Sequence, residues 1–269
     1  MQVPSRINPV EIDEKYEACI TREDKVVKID AADIYYRDLN AILRAVIQNS
    51  GVEKIEIYNV CGQRYIGTDL HTNIQIHIYG TPGNDLAVFN NGPQIIVHGN
   101  AQDGSGNTMN EGQIVIEGHA GDVTGHSMRG GKIFVKDNVG YRAGIHMKQY
   151  EKKVPTIVIG DVAGDFLAEY MAGGIICILG LGLKEGEKCD ARFVGTGMHG
   201  GVIYERGEFL CPVAGTKVEE VDKRDMAVIT KLVEEYCSHF GGNPQAILNH
   251  PFKKILPVST RPYANLFSH

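Results

Sequence analysis

A short motif recurring at a fixed step constrains this chain more than anything else: Gly106-Asn-Thr-Met109, Gly125-His-Ser-Met128 and Gly144-Ile-His-Met147 repeat every 19 residues. Apolar runs keep the same step, at Ile95-Ile-Val-His-Gly99, Ile114-Val-Ile-Glu-Gly118 and Ile133-Phe-Val-Lys-Asp137. Self-similarity at such a period means one structural unit stacked on copies of itself. The interval then widens to 24 residues at Ala168-Glu-Tyr-Met171 and to 27 at Gly195-Thr-Gly-Met198, so the additional residues read as inserted loops. Matching strands are expected at Thr156-Ile-Val-Ile159, Ile175-Ile-Cys-Ile178 and Val202-Ile-Tyr204. An earlier, degenerate copy is expected at Ile74-Gln-Ile-His-Ile78 with Ala87-Val-Phe-Asn90.

The apolar runs are short and rich in Ile and Val, and the units hold too many glycines for helices, so helical repeat families fit poorly. Nineteen residues are too few for a four-stranded propeller blade and suit one turn of a parallel β-helix built from two or three short strands and tight corners. The expected fold is therefore mainly β, a parallel β-helix of about six to seven coils. It is expected over residues 70–210, after an α/β lead-in over 1–69 and before a helical C-terminal segment over 211–269. Positions one period apart lie above one another at the ~4.8 Å strand spacing, which makes the methionines a stack, best placed inside. The structural ladder is thus Gly106, Met109, Gly125, Met128, Gly144, Met147, Met171, Gly195 and Met198, with the glycines at corners that need positive φ or close backbone approach.

Both ends carry an amphipathic helix. Leu39, Ile42, Leu43, Val46 and Ile47 share one helical face with a stop at Asn49-Ser-Gly51, and Val52–Val60 alternates as a strand leading into the coil. Asp222 can cap a helix whose face is Met226, Ile229, Val233, Tyr236 and Phe240, ending at Gly241-Gly242, with a short helix after Asn243-Pro244. A β-helix leaves unpaired backbone at its first and last coils; these segments either cover those ends or bind a partner.

Against 27 Lys and Arg stand 33 Asp and Glu, a formal charge of −6 that argues against nucleic acid or an anionic membrane as a partner. No apolar run reaches membrane-helix length and Met1-Gln-Val-Pro-Ser-Arg6 lacks the apolar core of a signal peptide, so a cytoplasmic location is expected. Cys19, Cys61, Cys177, Cys189, Cys211 and Cys237 form no C-x-x-C pair and read as reduced structural thiols, not as a metal or cluster site.

Three constellations bear on chemistry. Asp103, Asp122 and Asp165 each stand six residues before a ladder methionine, with Tyr141 at the same place between them. Two stacked carboxylates about 5 Å apart have the spacing of a retaining glycosidase pair. The same residues are also turn formers, in Asp103-Gly104, Gly121-Asp122 and Gly164-Asp165. His98, His119, His126, His146 and His199 form no single file, although His126 and His146 invite a zinc or acyl-transfer reading. Gly195-Thr-Gly-Met-His-Gly200 matches G-x-G-x-x-G, yet a strand follows it where a dinucleotide site needs a helix N-terminus.

The segments Gly62-Gln-Arg-Tyr-Ile-Gly67, Tyr79-Gly-Thr-Pro-Gly-Asn-Asp85, Val97-His-Gly-Asn-Ala-Gln-Asp-Gly104, Gly118-His-Ala-Gly-Asp122, Met128-Arg-Gly-Gly131, Gly140-Tyr-Arg-Ala-Gly-Ile-His-Met147 and Gly195-Thr-Gly-Met-His-Gly-Gly201 resemble the C-terminal GXGXG β-helix domain of the glutamate synthase large subunit. The likeness runs from about residue 25 through Pro257-Val-Ser-Thr-Arg-Pro262 and is closest to the form in which this domain is a separate polypeptide. The same β-helix type is similar to a subunit of formylmethanofuran dehydrogenase. The resemblance implies a right-handed β-helix that acts as scaffold in an oxidoreductase of glutamate biosynthesis and nitrogen metabolism. Such an enzyme moves amide nitrogen from glutamine to 2-oxoglutarate with electrons from a nicotinamide or ferredoxin. Its glutaminase uses an N-terminal cysteine and its synthase domain holds FMN and an iron–sulfur cluster. This chain opens Met1-Gln2 and offers no position matching either catalytic motif, so no catalytic, cofactor-binding or metal residue carries over. The expected partners are a glutaminase subunit and a synthase subunit, with FMN and the cluster in the latter; self-association stays open. The readings left beside it are a stand-alone β-helix enzyme using stacked carboxylates and a scaffold in a formyl-transfer complex.

Overall fold

The computed structural model describes residues 12–49, 51–184 and 186–260; the leader reading at Met1–Arg6, Ser50 of the helix stop and Arg261-Pro262 of the resemblance lie outside them. After a 3-10 helix at Glu14–Cys19 come β1 (Ile20–Glu23), β2 (Val26–Asp30), α1 (Tyr36–Asn49) and β3 (Lys54–Cys61). The coil continues through β4 (Gln75–Thr81), β5 (Asn91–His98), β6 (Glu111–Ile116), β7 (Lys132–Val135), β8 (Thr156–Ile159), β9 (Ala172–Ile178) and β10 (Gly200–Arg206). β11 (Thr216–Glu220), α2 (Lys223–Phe240), α3 (Pro244–Leu248) and β12 (Phe252–Pro257) close the described chain. All twelve strands form one sheet, parallel and in sequence order from β2 to β10, with β1 antiparallel on one edge and β12 then β11 antiparallel on the other. The fold is a mainly β solenoid.

Register explains the step of 19. Ile55, Ile76, Ile95, Ile114, Ile133, Ile157, Ile176 and Ile203 pair successively across β3 to β10 and are all fully buried. Each such side chain taken from water stabilises by roughly 1.5–3 kcal/mol, so a file of identical residues is a large, local reward for correct register. Met109, Met128, Met147, Met171 and Met198 line the same interior, with Asn90 at that place one coil earlier. Each coil holds one regular strand; the second pairing shrinks to single bridges at Ala101, Ala120, Val139 and Ala163.

Parallel pairing extends into the segment expected as a lead-in, because β2 and β3 are already rungs of the ladder. In that first coil α1 replaces the corner, burying Leu39, Ile42, Leu43 and Val46 in the solenoid core. At the other end the helical segment does something different from covering the last coil. α2, capped by a reciprocal Asp222–Asp225 box, lies across the outer face of β7 to β10, where Ile229, Leu232, Val233 and Tyr236 pack on Phe134, Val158, Cys177 and Tyr204. The last rung is covered instead by β12 and β11, which extend the sheet antiparallel.

Candidate functional site

The corner before each methionine has an unusual backbone. Counting from Val123, Gly125 and Ser127, every second residue takes positive φ, and the same triplet recurs at Tyr65, Gly67 and Asp69; at Asp85, Ala87 and Phe89; and at Gly104, Gly106 and Thr108. It continues at Arg142, Gly144 and His146; at Phe166, Ala168 and Tyr170; and at Phe193, Gly195 and Gly197, with φ between 51° and 76° throughout. A side-chain-bearing residue pays roughly 1–3 kcal/mol for this conformation. The compensation is visible in the hydrogen bonds. The first and third N–H groups of a corner donate to the following coil, as from Val123 to Tyr141 O (2.7 Å) and Ser127 to Ile145 O (2.9 Å); the middle one donates to the preceding coil, as from Gly125 to Ser105 O (2.8 Å). Alternating φ therefore lets one corner bond to both neighbours.

The middle place is glycine where an isoleucine presses on it: a Cβ on Gly125 would lie 2.5 Å from Ile157 Cδ1. Between the positive-φ residues, Ile66, Leu86, Ser105, Thr124, Ala143, Leu167 and Val194 point inward and are fully buried. The first and third places carry Phe89, Arg142, His146, Phe166, Tyr170 and Phe193 along the outside of the corner. Phe89, Tyr170 and Phe193 are exposed there, beside the exposed Tyr141. Phe166 stacks on Phe193 with centroids 4.8 Å apart, Arg142 lies over the Phe166 ring, and His146 stacks on Tyr170 at 5.4 Å. An edge of rings and cations of this kind can meet another protein surface.

The aspartate file is an inter-coil stitch. Asp103 Oδ1 accepts from Asp122 N (2.9 Å), Asp122 Oδ1 accepts from Tyr141 N (2.8 Å), and Asp165 Oδ1 accepts from Arg192 N (2.8 Å) while its other oxygen pairs with the Arg192 guanidinium. The Arg192 N–H holds the Asp165 carboxyl below its ordinary range. Gly140 has no Cβ because one would sit 2.2 Å from Asp122 Oδ1. These carboxylates spend an oxygen on backbone donors instead of facing each other as an acid and a nucleophile.

His126 and His146 lie 6.0 Å apart, and burial depresses the His126 pKa, yet among the described residues no three His, Cys, Asp or Glu side chains stand where they could hold a metal. The cysteines are all free; Cys177, Cys189 and Cys237 are buried, and burial pushes the Cys177 thiol up to about 12. This set does not fit an iron–sulfur cluster. Gly195 to Gly200 runs from a corner directly into β10, so it offers no helix N-terminus for a pyrophosphate.

Across β3 to β5 no helix of the described residues lies on the outer sheet face. Gln75 donates to Gln94 (3.0 Å), Gln94 to Gln113 (2.7 Å) and Gln113 to Glu235 of α2 (2.9 Å), a directed row of amides. Beside it His77, His98 and Glu117 are joined by hydrogen bonds of 2.9 Å each, and Tyr58, Tyr79 and His98 stack. Glu56 accepts from the Tyr58 hydroxyl, which raises that phenol to about 12. Sequence reasoning passed over Gln75, Gln94 and Gln113, although their step of 19 was the available signal. No helix in the described residues is long and apolar enough to cross a membrane.

Three comparisons bear on these surfaces. The family model for the GXGXG motif matches residues 33–259. An uncharacterized protein of Methanocaldococcus jannaschii is 50% identical over 251 residues, covering 90% of this chain and 96% of its own length. Among solved structures, a chain of the formyltransferase/hydrolase complex of Methylorubrum extorquens, in complex with methylofuran, superposes with a TM-score of 0.60 at 20% identity, covering 78% of this chain and 80% of that one. At that identity the likeness is one of fold.

Proposed function

The chain belongs to the GXGXG-motif family, and from that membership we propose that it is a non-catalytic subunit organising a glutaminase and a flavin iron–sulfur synthase into a glutamate synthase. The carrying observation is how its polar groups are used. The aspartates and corner N–H groups are consumed in joining coil to coil, while rings, histidines and amides are displayed in straight rows outside. A stiff body with ordered outer rows suits the task of holding two other bodies in fixed relation. The glycines and aspartates of the resemblance are the same corners and stitches, so what this chain shares with glutamate synthase is the means of building the solenoid. FMN and the cluster belong to the synthase partner, and the assembly works in the cytoplasm.

The gain from such a subunit is transfer of ammonia between two sites without loss to bulk water, the benefit of a raised effective concentration. Mixing the chain with cognate glutaminase and synthase subunits is expected to give a stable complex whose glutamine-driven glutamate formation exceeds that of the two alone. Free ammonia should support synthesis with less dependence on this chain. Equal coupling without it would end this reading. A second reading, a scaffold in a formyl-transfer assembly, is favoured by the fold shared with the formyltransferase/hydrolase chain. The subunits that copurify from the native host decide between them.

A further inference from the structure

The residues after Asn90, Met109, Met128 and Met147 form their own file on the surface. Asn91, Asn110, Arg129 and Lys148 follow at steps of 19, so they stand on four successive coils about 4.8 Å apart. The wall of this file is built by one of the insertions that broke the period. Between Met147 and Met171 the additional residues fold into a tight hairpin, with Tyr150 and Lys153 exchanging both backbone hydrogen bonds (3.2 and 2.9 Å) around Glu151 at φ 54°. Lys153 is tied back through Glu111, two coils below, at 2.5 Å. The hairpin and the file enclose a cleft of about 500 Å³ lined by Asn91, Asn110, Arg129, Lys148, Tyr150 and Lys153.

The charge in this cleft is unbalanced. Arg129 and Lys148 are exposed, sit one coil apart, and have no ion-pair partner among the described residues, whereas Lys132 and Arg142, on the coil that Arg129 opens, are each paired with a carboxylate. Glu111, next to Asn110, is engaged by Lys153, and none of the six lining residues is acidic. Asn91 is held in place by its amide against His71 at 2.9 Å, which fixes the far end of the file. Two unpaired cations stacked at one coil spacing repel each other in a chain whose net charge is −6, and an anion between them removes that repulsion. The volume is that of a small-molecule site.

We propose that this cleft binds a small dicarboxylate, one carboxylate taken in a two-pronged grip by Arg129 and the other by Lys148. The backbones of the two residues stand one coil step apart, and four extended C–C bonds set the two carboxyl carbons of a five-carbon diacid about 5 Å apart, a comparable span. The planar guanidinium matches one carboxylate, and the Lys148 ammonium and the Tyr150 hydroxyl supply donors at the other end. The site concerns this chain alone and does not depend on which catalytic subunits it meets.

Isothermal titration of the full chain with glutarate, with acetate and with inorganic phosphate tests it. Glutarate is expected to bind one equivalent, more tightly than either of the others, and to lose at least about tenfold in affinity in Arg129→Ala and in Lys148→Ala. Lys136→Ala, outside the cleft, should bind as the parent does. Both cleft residues are exposed, so unchanged melting of the two variants is expected to show that folding is intact. Absence of glutarate binding, or equal binding of all three anions, or an affinity indifferent to Arg129 and Lys148, would overturn the site.

Discussion

Under α2 the outward file of the sheet reads Phe134, Val158, Cys177 and Tyr204, all buried; in the same register across β3, β4 and β5 it reads Glu56, His77 and Ile96, with Val115 on β6 at the crossing. The inward file does not change between the two halves, being isoleucine at every rung from β3 to β10. The repeat thus specifies the interior, and the outer face is specified by what lies against it. Where α2 docks, the sheet is apolar; where none of the described residues docks, it carries amides, imidazoles and stacked phenols that water or a partner can satisfy.

The sharpest way to break this contrast is to truncate matched outward positions. Phe134→Ala is expected to cost about 3–5 kcal/mol in a denaturant melt, whereas His77→Ala should cost under about 1 kcal/mol. Similar losses from both would mean that the open half is as dependent on its outer packing as the covered one. Inside the coil the two halves should be indistinguishable: Ile76→Ala and Ile157→Ala are each expected to cost about 2–5 kcal/mol, and a gap wider than about 2 kcal/mol would show that the core is not uniform.

A smaller effect joins the halves. The amide row ends on Glu235 of α2, which also holds Lys132 at 2.5 Å, so Gln113→Ala and Glu235→Ala should couple by about 0.5–1.5 kcal/mol in a double-mutant cycle. Strict additivity would show that the row stops short of the helix energetically. The smallest effect is on pH dependence. His239 packs 5.0 Å from Phe134 with Nε2 buried and unpartnered, and burial depresses its pKa. The unfolded chain takes up that proton near the ordinary value of about 6.5 and the folded chain resists it, so stability present above that value falls as pH drops through it. Thermal melts between pH 7 and 5 should show a shallower decline in His239→Phe than in the parent; parallel profiles would remove His239 from the account.

Much of the interior was legible because identical residues at a fixed step can only be stacked. The helix faces were legible too, and α2 starts just after Asp222 and ends before Gly241 as its caps dictate. Its resting place was not, since Gln113–Glu235 and Tyr236–Lys136 are tertiary bonds spanning 122 and 100 residues with no local trace. The corners were half legible. Gly125 and Gly144 announce positive φ, but Arg142, Phe166 and Tyr170 share that backbone without any propensity for it, held there by the bonds to adjoining coils. The aspartates drew attention as a carboxylate pair, and only the N–H groups facing them disclose the stitch.

The uniform rise of the ladder makes this protein a ruler. From β2 to β10 it advances eight steps, a length of ~38 Å at ~4.8 Å per step. Anything that contacts the face of one coil and anything that contacts the face of another is therefore separated by a multiple of one quantum. Loss or gain of a whole 19-residue unit changes that separation by one step while leaving every kind of lateral contact in place. An insertion confined to a corner, like the hairpin at Tyr150–Lys153, adds surface without changing the count. Length and decoration are thereby free to vary separately.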